Sequence, residues 1–286
     1  MVKNNYLFLY PELIKHVKNA NYFNNQVIEQ YKNIKNFYIF IYPDKCIVYN
    51  NHLPDNYKIE IEDRSYLKNY KEILDNKVID LYECLKNEND IYYKTDTHIN
   101  LKGSYLVYNY FVDSIKNNYN IDLPHINLNI LQKKTVNSLS SLNIGIGDLT
   151  WENNLGQQIL NDITDTYYDD YDNSTDLVFY MRTNIDKNLS IKLLTKNNLI
   201  DETILHYGKI FSWDILSKYI LYRKNNNCKN NLKILIFYDS FLAHSLYLYL
   251  NLFSEIYFIK DIFDINIINK INPDLIFEFR IERFLN

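Results

Sequence analysis

The chain has 286 residues, 47% hydrophobic and 23% charged, which is enough for one large domain or two small ones with a sizeable core. Its 31 basic and 35 acidic residues give a formal net charge of −4, with the lysines scattered among acids, which argues against a general grip on nucleic acid. Cys46, Cys84 and Cys228 are far apart and show neither zinc spacing nor a disulfide framework, so no metal site is expected. No apolar run reaches the roughly 18 residues of a membrane span, and the opening MVKNNYLFLYPELIK has no long apolar stretch or cleavage site. The expectation is a cytoplasmic protein, or one domain of a longer chain.

Apolar residues at helical spacing from Pro11 to Tyr31 predict one or two short helices. Asn36 to Tyr42 (NFYIFIY) reads as a strand by its aromatic and β-branched content. Arg64 to Leu74 reads as a helix, and Val78 to Leu85 as a strand followed by a helical turn. The polar Thr95-Asp96-Thr97-His98 leads into an amphipathic helix from about Leu101, with Tyr105, Val107, Tyr108 and Phe111 as candidate buried positions. Signals weaken between about 120 and 230. Leu177 to Met181 and Ile191 to Leu194 read as strands there, and Thr166 to Thr175 as a solvated acidic loop. Lys233 to Tyr238 (KILIFY) suits a strand buried on both faces, Asp239-Ser240 breaks it, and an apolar-periodic helix follows. Glu255 to Lys260 is another strand, Asp264 to Ile271 is mixed, and Leu275 to Phe279 is a closing strand. Strands alternating with helices at both ends predict an α/β sandwich around a largely parallel sheet.

Two short motifs carry candidate chemistry. A serine hydroxyl is a poor nucleophile until a base takes its proton, and an imidazole suits that role when a carboxylate fixes its tautomer. Asp96-x-His98 supplies a base with its acceptor, and Asp239-Ser240 supplies a serine at a strand-to-helix turn, beside backbone donors and the positive end of a helix. Each motif has a plainer reading: His98 as a capping or surface residue, and Asp239-Ser240 as a helix N-cap.

The segment YYKTDTHINLKGSY resembles the Y-x-x-T-D-T-H-W-n-x-x-G-A-y signature of the SGNH-hydrolase-like acetyltransferases, the AlgX, AlgJ and DHHW group. ILIFYDSFLAHSLYLYLNLFSEIYFI is similar to that group's D-S-F nucleophile turn, helix and next strand. FYIFIYPDKCIVYNNHLP and NPDLIFEFRIERFL match its upstream strand and its closing segment, in the right order. The resemblance covers roughly residues 25 to 113 and 230 to 286, with Gly147-Asp148-Leu149 the one match in between. It departs from the pattern at Ile99, where the family often has Trp, and at Tyr238, where it often has Gly.

The resemblance implies one SGNH-like three-layer domain over residues 1–286, with a less regular inserted section at about 120–230, rearranged so that Asp-x-His precedes the serine. It implies Ser240 as nucleophile, His98 as general base and Asp96 as its orienting carboxylate. Asp239 and Gly147 are supporting candidates for the oxyanion site. Lys45, Arg182 and Arg280 are candidates to meet a sugar or an anionic donor, with salt-bridged groups as the plainer reading. The implied function is O-acetyl transfer to a carbohydrate or sugar-nucleotide hydroxyl, without a bound cofactor and with acetyl-CoA as a plausible donor. The alternatives are a carbohydrate acetyl esterase, with water as acceptor, and a glycan-binding domain without turnover.

Overall fold

The computed structural model describes residues 2–3, 6–9, 25–93, 96–136, 164–168, 178–182, 191–194, 219–225, 228–243 and 245–285. Their elements in chain order begin with β1 (Val2–Lys3), β2 (Tyr6–Leu7), α1 (Asn25–Lys32), β3 (Phe37–Tyr42), α2 (Lys45–Val48), α3 (Ser65–Leu74), β4 (Val78–Asp80), α4 (Tyr82–Leu85) and α5 (Leu101–Tyr119). The middle of the chain contributes β5 (Gln132–Val136), β6 (Thr164–Tyr168), β7 (Val178–Arg182), β8 (Ile191–Leu194) and β9 (Tyr219–Lys224). The last part carries β10 (Lys233–Tyr238), α6 (Ser240–Ala243), α7 (Leu246–Tyr249), β11 (Glu255–Ile259), α8 (Ile265–Ile271) and β12 (Leu275–Ile281).

Eight strands form one mixed sheet in the order β4-β3-β12-β10-β11-β9-β7-β8. β10 lies parallel to both β11 and β12. β9 joins β11 antiparallel, and β7 and β8 continue antiparallel beyond it. The α/β expectation therefore holds: the centre is parallel, and the middle of the chain adds an antiparallel wing. The acidic stretch expected as loop from Thr166 to Thr175 begins inside β6 (Thr164–Tyr168), which pairs antiparallel with β5, and its residues 169–175 lie outside the described residues. The alternating Thr164, Thr166 and Tyr168 suit an extended strand, and composition hid that periodicity.

Two compact units divide the chain: Met1–Asn33, Ile41–Asp169 and Ile281–Asn286 make one, Ile34–Phe40 and Asp170–Arg280 the other. In the second unit, Ile234 to Tyr238 and Leu275 to Arg280 are buried along their length, because the central strands have both faces covered. Phe40 stacks on Phe279 at 4.8 Å and meets Phe277 edge-on at 6.0 Å. Each such ring contributes about 1.5–3 kcal/mol by leaving water.

Asp264 caps α8 by accepting from Asn266 N–H, and left-handed Asn272 ends it, so these caps make a helix of an isoleucine-rich run that reads as mixed. The single helix expected after Ser240 is two short ones. Ser245, at φ −124° and ψ 12°, turns both its amide and its hydroxyl to the Leu242 carbonyl and closes α6.

In the first unit, α5 buries Gly103, Ser104, Tyr105, Val107, Tyr108, Phe111, Val112 and Ile115 along one stripe, which includes all four positions expected from the sequence. A buried ion cluster holds the start of α3. The Arg64 guanidinium donates to Glu282 (2.6 Å from Nη2) and to Asp80 (2.9 Å from Nη1). Burial alone lowers the Arg64 pKa, but Glu282 and Asp80 together raise it above its ordinary value, so the cluster stays ionic. Among the described residues, no helix is long and apolar enough to cross a membrane.

Candidate active site

The Asp96-Thr97-His98 loop is clasped at its base. Tyr92 and Ile99 form an antiparallel bridge, Tyr93 N–H donates to the His98 carbonyl (3.3 Å), and Asn100 N–H donates to the Ile91 carbonyl (2.9 Å). The Tyr49 hydroxyl accepts from the amides of Ile91 (2.9 Å) and Tyr92 (3.3 Å), which fixes one arm of the clasp. The other arm runs into α5, where Asn100 caps the helix by accepting from Gly103 N–H at 3.1 Å. A Cβ at Gly103 would sit 2.7 Å from the Ile91 carbonyl oxygen, so the close approach of arm and helix requires glycine. Ile99, where the family often has Trp, is 2% exposed and packs into this clasp.

Within the loop, Asp96 Oδ1 accepts the His98 backbone amide at 2.7 Å and lies 2.6 Å from His98 Nδ1. A carboxylate can only accept, so the contact selects the tautomer with a proton on Nδ1. Both side chains are mostly buried, at 15% exposure for His98 and 16% for Asp96. This arrangement fixes the ring and makes Nε2 the nitrogen that can exchange a proton.

In the other unit, β10 ends at Tyr238, and the Asp239 amide donates to the Phe279 carbonyl of β12. Asp239 Oδ1 then accepts from Phe241 N–H at 2.9 Å. The capping role expected for Asp239-Ser240 thus belongs to Asp239, and Ser240 opens α6 as a half-buried residue. Tyr238 stands where the family often has Gly. It is not among the described residues with positive φ, and its buried ring meets Phe258 edge-on, so the turn makes no demand for glycine there.

Two of the cations considered for substrate are committed within the fold. Lys45 is 1% exposed and its ammonium donates to the Asp96 carbonyl at 3.0 Å. Arg280 is buried, donates to Glu278 Oε1 at 2.6 Å from Nη2, and also reaches the Asp261 carbonyl. Arg182 ends β7 opposite Ile191. Gly147 lies outside the described residues. Sequence reading passed over Asp44 and Arg283: Arg283 Nη1 donates to Asp44 Oδ1 at 2.6 Å and Nη2 to Thr97 Oγ1 at 3.4 Å. Both lie inside the flanking motifs PDK and ERFL, 239 residues apart, so no local pattern announces their contact.

No family model matches the sequence, and no curated protein matches it. Solved structures do. The chain is similar to Bacillus cereus PatB1 at 16% identity and a TM-score of 0.61, over 100% of this chain and 96% of that one. The same protein, solved with a sulfonyl adduct, gives a TM-score of 0.60 over 98% and 90% of the two chains, again at 16% identity. A DHHW family protein from Eubacterium siraeum is 17% identical, with a TM-score of 0.59 over 96% of this chain and 85% of that one. The chain therefore shares the fold of PatB1 and of that DHHW family protein.

Proposed function

We propose that the protein is a carbohydrate O-acetyltransferase that works through an acetyl-Ser240 intermediate. The observation that carries this reading is the 2.6 Å contact between Asp96 Oδ1 and His98 Nδ1, which prepares an imidazole for base catalysis. The fold and the motif order support it further. The reaction itself requires His98 Nε2 and the Ser240 hydroxyl to meet.

In the first half-reaction, Ser240 Oγ attacks the acetyl carbonyl carbon as His98 Nε2 takes the hydroxyl proton. The carbonyl electron pair moves to oxygen, and the Ser240 amide, at the start of α6, is one donor to that oxyanion. Collapse expels the donor's leaving group, which receives the proton from His98. In the second half, His98 takes the proton of the acceptor hydroxyl, whose oxygen attacks the acetyl-serine. Collapse then releases the acetylated acceptor and returns the proton to Ser240 Oγ. Asp96 stabilises the imidazolium formed in each half without taking its proton.

The acceptor in this reading is a sugar hydroxyl, on a glycan or a sugar nucleotide. Water in its place makes the same machinery an esterase. The test supplies acetyl-CoA or a chromogenic acetyl ester as donor and a panel of oligosaccharides and sugar nucleotides as acceptors, read by mass spectrometry. A gain of about 42 Da per acetyl on an acceptor, absent with Ser240→Ala, is expected, the mass of an acetyl group less the hydrogen it replaces. Donor consumption with free acetate as sole product makes the protein an esterase, and no consumption of either donor overturns the reading.

A further inference from the structure

We propose that Arg283, braced by Asp44, is a positioning residue for the Asp96–His98 pair; this rests on the reading of His98 as the catalytic base. Around this pair, successive backbone and side-chain groups are bonded one after another. The Asp96 carbonyl accepts from Lys45, Thr97 Oγ1 accepts from Arg283, the His98 amide donates to Asp96 Oδ1, and the His98 carbonyl accepts from Tyr93. Two side chains distant in sequence support the loop: Lys45 is 51 residues from Asp96, and Arg283 is 186 from Thr97.

Asp44 strengthens the case. It is wholly buried and occupies the N-cap position of α2, yet its side chain makes no cap bond there. Its carboxylate instead takes the Arg283 guanidinium at 2.6 Å. Burying such a pair loses most of the Coulombic gain to desolvation, and apolar residues of similar volume often serve stability as well or better. What a guanidinium adds is a planar fork that reaches two acceptors in fixed directions, here Asp44 and Thr97. A lysine, with a single ammonium, cannot reproduce that geometry. The arrangement sets the direction of the loop between the two groups of the pair. A shift of about 1 Å in a catalytic group can lower turnover by about 10²-fold.

The test uses Arg283→Gln, Arg283→Lys and Thr97→Val in the full chain, with Glu282→Gln as a control that weakens the adjacent buried Arg64 cluster. The primary readout is the ¹⁵N spectrum of the histidine rings, with His98 assigned by His98→Gln. It needs no turnover, so it decides this proposal even where the acetyl-transfer reading fails. Wild type is expected to show His98 as the Nδ1–H tautomer. Arg283→Gln is expected to mix the tautomers and to lower kcat for acetyl-ester turnover by about 10²-fold at unchanged KM. Arg283→Lys should recover part of both signals, and Thr97→Val, nearly isosteric, should move both in the same direction by less. The proposal is overturned if Arg283→Gln and Thr97→Val keep the wild-type tautomer. It is equally overturned if they lose activity only in proportion to unfolding, the behaviour expected of Glu282→Gln. Should Arg283→Gln not fold, the Thr97→Val spectrum decides alone.

Discussion

One oxygen of Asp96 serves His98 twice: Oδ1 accepts the backbone amide at 2.7 Å and faces ring Nδ1 at 2.6 Å. The first contact fixes the turn and the second the tautomer, so a two-residue spacing is enough to orient the base. Asp96→Asn leaves the size of the side chain unchanged but offers an amide that can donate to Nδ1 and favour the wrong tautomer. For a working triad this substitution lowers kcat by about 10⁴-fold. Steady-state turnover of an acetyl ester is expected to fall on that scale with the melting temperature little changed; near-normal turnover would remove Asp96 from the mechanism.

Asp239 carries the cap of α6 through its 2.9 Å bond from Phe241 N–H. Asp239→Ala should cost about 0.5–2 kcal/mol, the usual loss for a helix cap. Asp239→Asn keeps an acceptor and should cost less. Urea unfolding midpoints measure both, and equal losses would show that the carboxylate charge matters more than the cap.

The Arg64 cluster joins the start of α3 to the chain's closing segment. Glu282 is fully buried, and its removal as a charge leaves Arg64 with Asp80 alone. Breaking a buried pair by neutralising one partner typically costs 3–5 kcal/mol, so Glu282→Gln is expected to destabilise by roughly that amount in denaturant titration. A change below about 1 kcal/mol, the scale of an exposed pair, would mean that water reaches the cluster.

Gly103 faces the Ile91 carbonyl too closely for a Cβ. Gly103→Ala must therefore push the clasp and α5 apart, at about 1–3 kcal/mol as for other overpacked sites. Because the clasp carries the Asp96–His98 loop, turnover should fall further than the folded fraction alone explains. A crystal structure of the variant with the Tyr92–Ile99 bridge intact and full activity would contradict this.

Much of the fold is legible in the sequence where a single physical signal dominates. KILIFY and NFYIFIY are apolar enough to be strands with covered faces, and α5 declares its stripe through Tyr105, Val107, Tyr108 and Phe111. Helix α8 is not legible, because INIINKI is rich in β-branched residues and only its flanking caps, Asp264 and Asn272, favour the helix. Likewise Ser245 looks like one more helical position, while its hydroxyl takes the Leu242 carbonyl and stops α6. At the site, the Asp-x-His pair is local and can be read directly. Arg283 and Asp44 meet across 239 residues, a contact that no window of sequence contains. Lys45 reads as a surface cation, and only its burial beneath the Asp96 carbonyl shows otherwise.

The central claim is an acetyl group carried on Ser240. Its most direct test is intact-protein mass spectrometry within the first turnover of a chromogenic acetyl ester, on wild type, Ser240→Ala and His98→Ala. The account predicts a transient gain of about 42 Da on wild type, one acetyl group less the hydrogen it replaces, located on Ser240 by peptide mapping. It predicts no adduct on Ser240→Ala and greatly slowed formation on His98→Ala. An acetyl group on another residue, or turnover that survives Ser240→Ala, would contradict it.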